Sequence, residues 1–328
     1  MKICIYGLGA IGGLMAAKLG QTGHEVNAIA RGKTLAKVRA DGLPLRNKDG
    51  EVVCQSAVNV YEHPRDAGVQ DVVILSVKTT ALYDVAANIG PLIGPETLIV
   101  SAMNGIPWWF FHGMQESASD VELASVDKDR QVSRHIPAAQ VIGCVTHLSA
   151  QLPEPGVVKH IAGSQLIIGD PIGGITGRCQ KLVELFNQAG FDATASEKIQ
   201  ADIWYKLWGN MTVNPISALT LATADQILDN DHVRQFMSSA MEEAAVIGSR
   251  IGIEINEDPE ARHQVTRKLG AFKTSMLQDV ESGKPLEVEA LMGSVLDIAR
   301  HVGVDAPNVR AIYGLTSLFA RNKGLLPK

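Results

Sequence analysis

The first half of the chain alternates short apolar runs with stretches whose apolar residues recur at helical spacing. Asp71–Val77 (DVVILSV) and Thr97–Ser101 are rich in aliphatic residues without polar alternation, which is typical of strands covered on both faces of a parallel sheet. Strands that alternate with helices indicate βαβ units and a doubly wound sheet. The other predicted strands are Lys2–Tyr6, Glu25–Ala30, Val141–Leu148, Gly156–Ile161 and Gln165–Ile168, and the predicted helices between them are Ala10–Gln21 and Thr34–Ala40.

From about Ile175 onward the pattern becomes helical. A joint rich in glycine and proline, Pro171–Gly174, predicts a domain boundary, with an α/β domain over residues 1–172 and an all-helical domain over residues 173–328. The charged segment Glu116–Arg134 has few large apolar residues, so we expect a surface insertion or mobile loop there. The predicted helices are Ile175–Gln188, one capped by Ser196 that continues through Lys206, His232–Arg250, Pro259–Phe272, Leu286–His301 and Pro307–Leu318.

Composition narrows the class of protein. The chain has 328 residues, 46% of them hydrophobic, and its net charge of -5 argues against a nucleic-acid binder, which would have a basic surface. No apolar run approaches the roughly 18 residues of a membrane span. The four scattered cysteines are typical of reduced thiols in a cytoplasmic protein and predict no metal site.

A glycine motif follows the first predicted strand and opens the first predicted helix. Its residues are Gly7, Leu8, Gly9, Ala10, Ile11 and Gly12. In this context Gly7 permits a tight turn, Gly9 lets a pyrophosphate approach the backbone, and Gly12 lets the helix pack closely on the strand. The anion then lies at the helix N-terminus, where free N–H groups favour negative charge. We therefore predict that the N-terminal domain is a Rossmann domain that binds a dinucleotide.

The end of the second predicted strand distinguishes the two nicotinamide cofactors. NAD enzymes usually place an acid there for the ribose 2′-hydroxyl, but this chain has Arg31 and Lys33 and no acid. A guanidinium can bind a 2′-phosphate and stack on adenine. The sequence therefore favours NADP over NAD.

Several motifs, taken in order, carry a resemblance that extends from Lys2 to about Leu318. The sequence resembles the ketopantoate reductase (2-dehydropantoate 2-reductase) family. Besides the glycine loop, the motifs are Ala30-Arg31-Gly32, Ser76-Val77-Lys78-Thr79, Met103-Asn104-Gly105, Lys206-Leu207-Trp208-Gly209-Asn210, Asn214-Pro215, Thr274-Ser275-Met276-Leu277-Gln278-Asp279 and Leu286-Glu287.

The resemblance implies a role for each matching residue. Lys206 would donate the proton to the substrate carbonyl, while Asn210, Asn214 and Ser275 would bind the substrate. Glu287 would lie at the edge of substrate and cofactor. Lys78 and Asn104 would contact the cofactor. The implied reaction is the NADPH-dependent reduction of a small 2-oxo acid, with ketopantoate the leading substrate and pantothenate biosynthesis the implied pathway.

The residues themselves support this assignment. Lys206, Asn210 and Asn214 are spaced i, i+4 and i+8, so on a helix they share one face. Pro215 should kink that helix, because proline removes one N–H and crowds the preceding turn. A lysine is protonated at neutral pH, since its reference pKa is about 10.4, and can therefore act as an acid. We expect the helix to form the wall of a cleft.

Three features keep other substrates open. Trp108–Phe111 is a run of four aromatic residues that could line an altered pocket or pack in the core. The Glu116–Arg134 segment would lengthen a loop near the cofactor cleft, and Phe272 stands where the family often has asparagine. A bulkier 2-oxo acid is therefore one alternative. The others are an NADP-linked dehydrogenase with a phosphorylated or amino-acid-derived substrate, and a non-catalytic NADP(H) sensor. A homodimer also stays open, because two-fold dimers are common among soluble enzymes.

Overall fold

The structure is a computed structural model that describes residues 1–114 and 121–326. Its contacts divide the chain into two compact units. Unit 1 comprises Met1–Met103 and Arg130–Ile199, and unit 2 comprises Asn104–Asp129 and Gln200–Lys328. The division falls between residues 199 and 200, later than the predicted boundary at 172/173, because a strand over Asp192–Ser196 pairs with the sheet of unit 1. Ser196 therefore ends a strand, and the helix that it was expected to cap begins at Ile199.

Unit 1 is built on one ten-stranded sheet. Its strands are β1 (Lys2–Tyr6), β2 (Glu25–Ile29), β3 (Leu43–Arg46), β4 (Val52–Ser56), β5 (Asn59–Tyr61), β6 (Val72–Leu75), β7 (Leu98–Ser101), β8 (Val141–Glu154), β9 (Val157–Gly169) and β10 (Asp192–Ser196). They lie in the order β4-β3-β9-β8-β7-β6-β1-β2-β5, with β10 beside β9. The central pairs from β8 to β5 are parallel, whereas β8–β9 and β3–β4 are antiparallel.

This order places a topological switch point beside β1, because the chain continues from β1 to β2 on one side and reaches β6 on the other. Ligands of such sheets bind where the strands end at their carboxyl side. The two segments predicted at 156–161 and 165–168 form a single strand, β9, which pairs along most of β8.

The described helices are α1 (Ala10–Leu19), α2 (Gly32–Asp41), α3 (Pro64–Ala67), α4 (Leu82–Asn88), α5 (Ala124–Asp127), α6 (Gly177–Gln188), α7 (Ile199–Thr220), α8 (Ala224–Asp229), α9 (Asp231–Arg250), α10 (Pro259–Arg267), α11 (Ser275–Glu281), α12 (Ser294–Val302) and α13 (Pro307–Asn322). A π-helical turn, Glu289–Gly293, leads into α12. Helix α7 continues through Pro215 to Thr220. Within the described residues unit 2 has no strand, so the prediction of a helical domain after a Rossmann-like sheet is confirmed.

The segment predicted as an insertion is only partly described. Glu116–Asp120 lies outside the described residues. The rest does not form a simple surface loop, because α5 contributes the buried side chain of Val126 and the backbone N–H of Ser125 donates to Asp297 on α12. Val132 is also buried. The described part of this segment therefore contributes buried side chains to the protein interior.

Within residues 1–114 and 121–326, no helix combines the length and the apolar character that a membrane crossing requires.

Candidate active site

The glycine loop connects β1 to α1 at the switch point, as the sequence predicts. Gly7 has a φ of +100°, a conformation that side chains disfavour. A Cβ on Gly12 would lie only 2.1 Å from the Gly7 carbonyl oxygen and 2.1 Å from Ser76 Oγ. Ser76, which follows β6, donates from Oγ to the Gly7 carbonyl at 3.0 Å. The fold itself therefore requires glycine at positions 7 and 12.

Gly9 is different, because nothing in the described protein requires it to be glycine. Its φ of -74° and ψ of -168° suit any residue, and a Cβ there would meet no atom within 4 Å. Gly9 is also the N-cap of α1, whose first N–H groups have no intrahelical acceptor. The open space above it fits a group that comes close to the backbone, and a helix N-terminus favours an anion. The loop therefore fits a dinucleotide pyrophosphate.

A cavity of about 370 Å³ begins at this loop and extends along the ends of β1 and β2. This volume lies within the usual range for small-molecule pockets. Arg31, at the N-cap of α2, is the arginine of its lining, and Glu62 and Asp84 are its carboxylates. The residues that line it are Tyr6, Gly7, Leu8, Ile29, Ala30, Arg31, Thr34, Glu62, His63, Pro64, Val77, Ala81, Asp84, Val85 and Asn88.

Arg31 and Asp84 form an ion pair at this cavity, with the guanidinium nitrogen 3.2 Å from the carboxylate. Both side chains are largely exposed, at 70% and 56%, so the pair is weak. Burial, together with the charge of Asp84, raises the pKa of Tyr6 to about 12, so Tyr6 stays neutral in the physiological range. The guanidinium is therefore in place to meet a phosphate, but Asp84 would compete for it.

The other predicted cofactor residues of unit 1 lie close to the same strand ends. Leu8 belongs to the cavity lining, whereas Ala10 and Ile11 form the first turn of α1. Lys78 follows β6 and precedes a short 3₁₀ turn, between lining residues Val77 and Ala81. Lys33 is exposed on α2, outside the lining of this cavity among the described residues.

Unit 2 brings the predicted proton donor together with Asn104. The Lys206 ammonium donates to Asn104 Oδ1 at 2.8 Å, although the two residues are 102 positions apart in the sequence. Lys206 lies half-buried in the second turn of α7, and Asn104 lies in the turn before Gly105. The amide oxygen therefore fixes the direction of the charged amine.

The two predicted asparagines continue this face of α7. Asn210 is half-buried one turn beyond Lys206, and Asn214 is buried a further turn along, with 5% of its surface exposed. A side-chain amide can both donate and accept hydrogen bonds. This face therefore offers one cation and two amides to a polar ligand.

Ser275 and Glu287 occupy less distinctive positions. Ser275 is exposed in the first turn of α11, which is capped by the fully buried Thr274 through its Oγ1 and the Leu277 N–H at 3.2 Å. Glu287 is half-buried two residues before the π-helical turn. Their assignment as substrate and cofactor contacts stays a prediction.

The aromatic run Trp108–Phe111 is buried in unit 2. Phe110 packs on Phe111 with ring centroids 5.2 Å apart, and on Trp204 of α7 at 6.1 Å. Trp208 is anchored by its Nε1, which donates to the Met241 carbonyl at 2.7 Å. Of the two roles left open for the run, these contacts favour packing behind α7.

Several residues that shape these sites have no role in the sequence-based prediction. Asp84 and Glu62 come to the cavity from separate segments, and Ser76 was recognised only as part of a motif. A carboxylate in a short helix carries no signal in the sequence that would relate it to Arg31. Ser76 could have been found, because it directly follows a predicted parallel strand next to the glycine loop.

Comparisons with known proteins cover nearly the whole chain. A family model described as ketopantoate reductase PanE/ApbA matches residues 3–173, and the model of its C-terminal region matches residues 198–320. A 2-dehydropantoate 2-reductase of Mesorhizobium japonicum is 36% identical over 325 residues, which are 99% of each chain.

Solved structures show the same fold. A crystal structure of a protein from Ralstonia solanacearum MolK2 aligns with a TM-score of 0.93 at 47% identity and covers 98% of both chains. The ternary structure of a D-mandelate dehydrogenase with NADH and anilino(oxo)acetate aligns with a TM-score of 0.84, covering 99% of this chain and all of that one. At 20% identity this second likeness is one of fold alone.

Proposed function

The chain belongs to the ketopantoate reductase family, and from this premise we propose that it reduces 2-dehydropantoate to pantoate with NADPH. One observation carries the proposal. A lysine held by an asparagine lies on a helix face that also bears two amides, Asn210, which is half-buried, and Asn214, which is buried. A 2-oxo acid offers such a face a carbonyl oxygen, a carboxylate and, in 2-dehydropantoate, a hydroxyl.

Each residue of this face has a definite part in the chemistry. A bound nicotinamide would supply the hydride for the ketone carbon, which would leave the electron pair of the carbonyl bond on oxygen. Lys206 stabilises that developing charge and donates an N–H proton to the oxygen, and the neutral amine then takes a proton from water. Asn104 orients the ammonium by accepting its hydrogen bond. Asn210, Asn214 and Ser275 would bind the carboxylate and hydroxyl of the substrate.

The choice of NADPH follows from the cation at the cofactor cavity. Arg31 lines it and can form charge-assisted hydrogen bonds with a 2′-phosphate. The glycine loop from Gly7 to Gly12 would hold the pyrophosphate, and Lys78, Asn104 and Glu287 would contact the cofactor. The D-mandelate dehydrogenase with the same fold binds NADH, so the two cofactors must be compared directly.

The test is to measure the loss of reduced nicotinamide absorbance in the wild type, in Lys206→Gln and in the control Lys268→Gln, an exposed lysine just after α10. Loss of the proton donor should lower kcat roughly a hundredfold to ten-thousandfold, with the NADPH Kd unchanged. The control should match the wild type. If Lys206→Gln turns over near the wild-type rate, the acid assignment is wrong.

A substrate panel with NADPH and NADH completes the test. We expect 2-dehydropantoate to have the highest kcat/KM, and NADPH to be preferred. Faster reduction of a bulkier 2-oxo acid would mean that this acid is the substrate, while the proposed reaction and proton donor would stand. Tight NADPH binding without reduction of any 2-oxo acid would favour the non-catalytic sensor.

A further inference from the structure

The π-helical turn Glu289–Gly293 changes one backbone hydrogen bond in unit 2. The N–H of Ser294 donates to the Glu289 carbonyl, five residues earlier. In an α-helix that N–H would donate to the carbonyl of Ala290. The π turn therefore releases the Ala290 carbonyl from its usual partner. A released carbonyl in a buried place must find other donors, and Ala290 is fully buried.

One of those donors comes from the turn that carries Asn104, and the other comes from the helix that follows the π turn. The Ile106 N–H donates to the Ala290 carbonyl at 2.9 Å, and Ser294 Oγ donates to it at 2.8 Å. Gly105, which lies between Asn104 and Ile106, has a φ of +79°, and a Cβ there would lie 2.4 Å from the Ala290 oxygen. Glycine is therefore required at position 105 both by its conformation and by the close approach of the π turn.

The same π turn is supported on its other side. The Glu289 carboxylate accepts a hydrogen bond from the Tyr313 hydroxyl at 3.0 Å, and a Cβ on Gly293 would lie 2.4 Å from Glu289 Oε2. The Leu291 N–H donates to the carbonyl of Glu287 at 3.2 Å. These contacts fix the π turn in place. They also connect it to the backbone of Glu287, a predicted site residue.

We propose that the π-helical turn Glu289–Gly293 positions the proton donor: its released Ala290 carbonyl holds the Asn104–Ile106 turn, and Asn104 aims Lys206. Gly105 and Ser294 are thus positioning residues. The inference rests on the proposed function for its kinetic consequence. A shift of about 1 Å in a catalytic group can cost roughly a hundredfold in rate.

The experiment is a double-mutant cycle of Gly105→Ala and Asn104→Ala. Gly252→Ala is the matched control, because Gly252 has a φ of +77° but no atom within 4 Å of an added Cβ. We expect Gly105→Ala to lower kcat about 10–100-fold at saturating substrate and cofactor. In the Asn104→Ala background, Gly105→Ala should lower kcat by less than about a further twofold, because both substitutions act through the hydrogen bond between Lys206 and Asn104. Gly252→Ala should leave kcat unchanged.

A readout apart from turnover separates this inference from the proposed function. The rate at which an acylating reagent modifies Lys206, measured by mass spectrometry relative to Lys268, should rise equally in Gly105→Ala, Asn104→Ala and the double variant. The reason is that each variant removes or displaces the amide oxygen to which the Lys206 amine donates. Ser294→Ala, a milder change, should give a smaller rise if Gly105→Ala does not fold.

The outcomes are distinct. Additive losses of kcat, or unchanged Lys206 labelling in both Gly105→Ala and Ser294→Ala while Asn104→Ala raises it, would overturn the positioning role. A wild type that reduces no 2-oxo acid would refute the proposed function, and the labelling pattern would still decide whether the π turn places the lysine.

Discussion

Replacing Gly9 with alanine should separate cofactor binding from folding. Position 9 has an ordinary extended conformation and open space around its missing Cβ. Removing a glycine restricts the unfolded chain and stabilises the protein by about 0.4–1 kcal/mol, whereas alanine is a poorer N-cap for α1 by a similar amount. The two effects offset, so the free energy of unfolding should change by less than about 1 kcal/mol.

Cofactor binding should respond much more strongly. A methyl group above Gly9 would hold the pyrophosphate away from the backbone N–H groups at the start of α1. A hydrogen bond to a charged group contributes about 1.5–3 kcal/mol, so the loss of one raises Kd roughly 10- to 150-fold. Gly12→Ala is the informative comparison, because its Cβ would collide with two atoms at 2.1 Å. Overpacking there should cost about 1–3 kcal/mol of stability or more.

The measurements are the Kd of NADPH by fluorescence titration and unfolding in denaturant, for the wild type and both variants. Gly9→Ala should be as stable as the wild type but bind weakly, and Gly12→Ala should be unstable. A wild-type Kd in Gly9→Ala would refute the reasoning that this space accommodates the cofactor. A large loss of stability in Gly9→Ala would instead show that the loop geometry is wrong.

Two further predictions concern unit 1. Burial has the largest effect on Asp170 and raises its pKa, but hydrogen bonds from Arg178 and Thr176 outweigh it and leave the pKa below its ordinary value. A lowered pKa stabilises the fold above the unfolded value and loses this effect as pH falls through the folded one. Asp170→Asn should therefore lower the free energy of unfolding by about 3 kcal/mol at neutral pH, with the difference shrinking below about pH 4 in urea titrations; a constant difference would contradict this. Asp84→Asn should release Arg31 and raise the preference for NADPH over NADH up to about fivefold in titrations, since an exposed pair contributes at most about 1 kcal/mol; equal changes for both cofactors would contradict this.

The parts of the fold that the sequence predicts are those with strong local patterns. The aliphatic runs of β1, β6 and β7 are buried and continuous, and the helices α9 and α13 have clear apolar faces. The strands β3, β4, β5 and β10 were missed, because they are short and contain polar, small or proline residues. Their pairing with neighbouring strands stabilises them, and local periodicity does not record it.

The segment Leu286–His301 is a second place where local periodicity does not predict the observed structure. Its apolar spacing predicts one helix, and the structure has a π-helical turn followed by α12. The π turn releases the Ala290 carbonyl, and this carbonyl accepts a hydrogen bond from the N–H of Ile106, which is far away in the sequence. A tertiary contact thus accompanies a local departure from the α-helix.

Local geometry was enough for the sequence to determine the two parts of the candidate site separately. Strand, glycine turn and helix follow one another within a dozen residues, and Lys206, Asn210 and Asn214 share a face because a helix repeats every 3.6 residues. Only the tertiary structure decided that Asn104 accepts a hydrogen bond from Lys206, that Asp84 pairs with Arg31, and that a π turn lies against Gly105. These contacts join segments far apart in the chain, and they depend on how elements pack, which no short-range periodicity encodes.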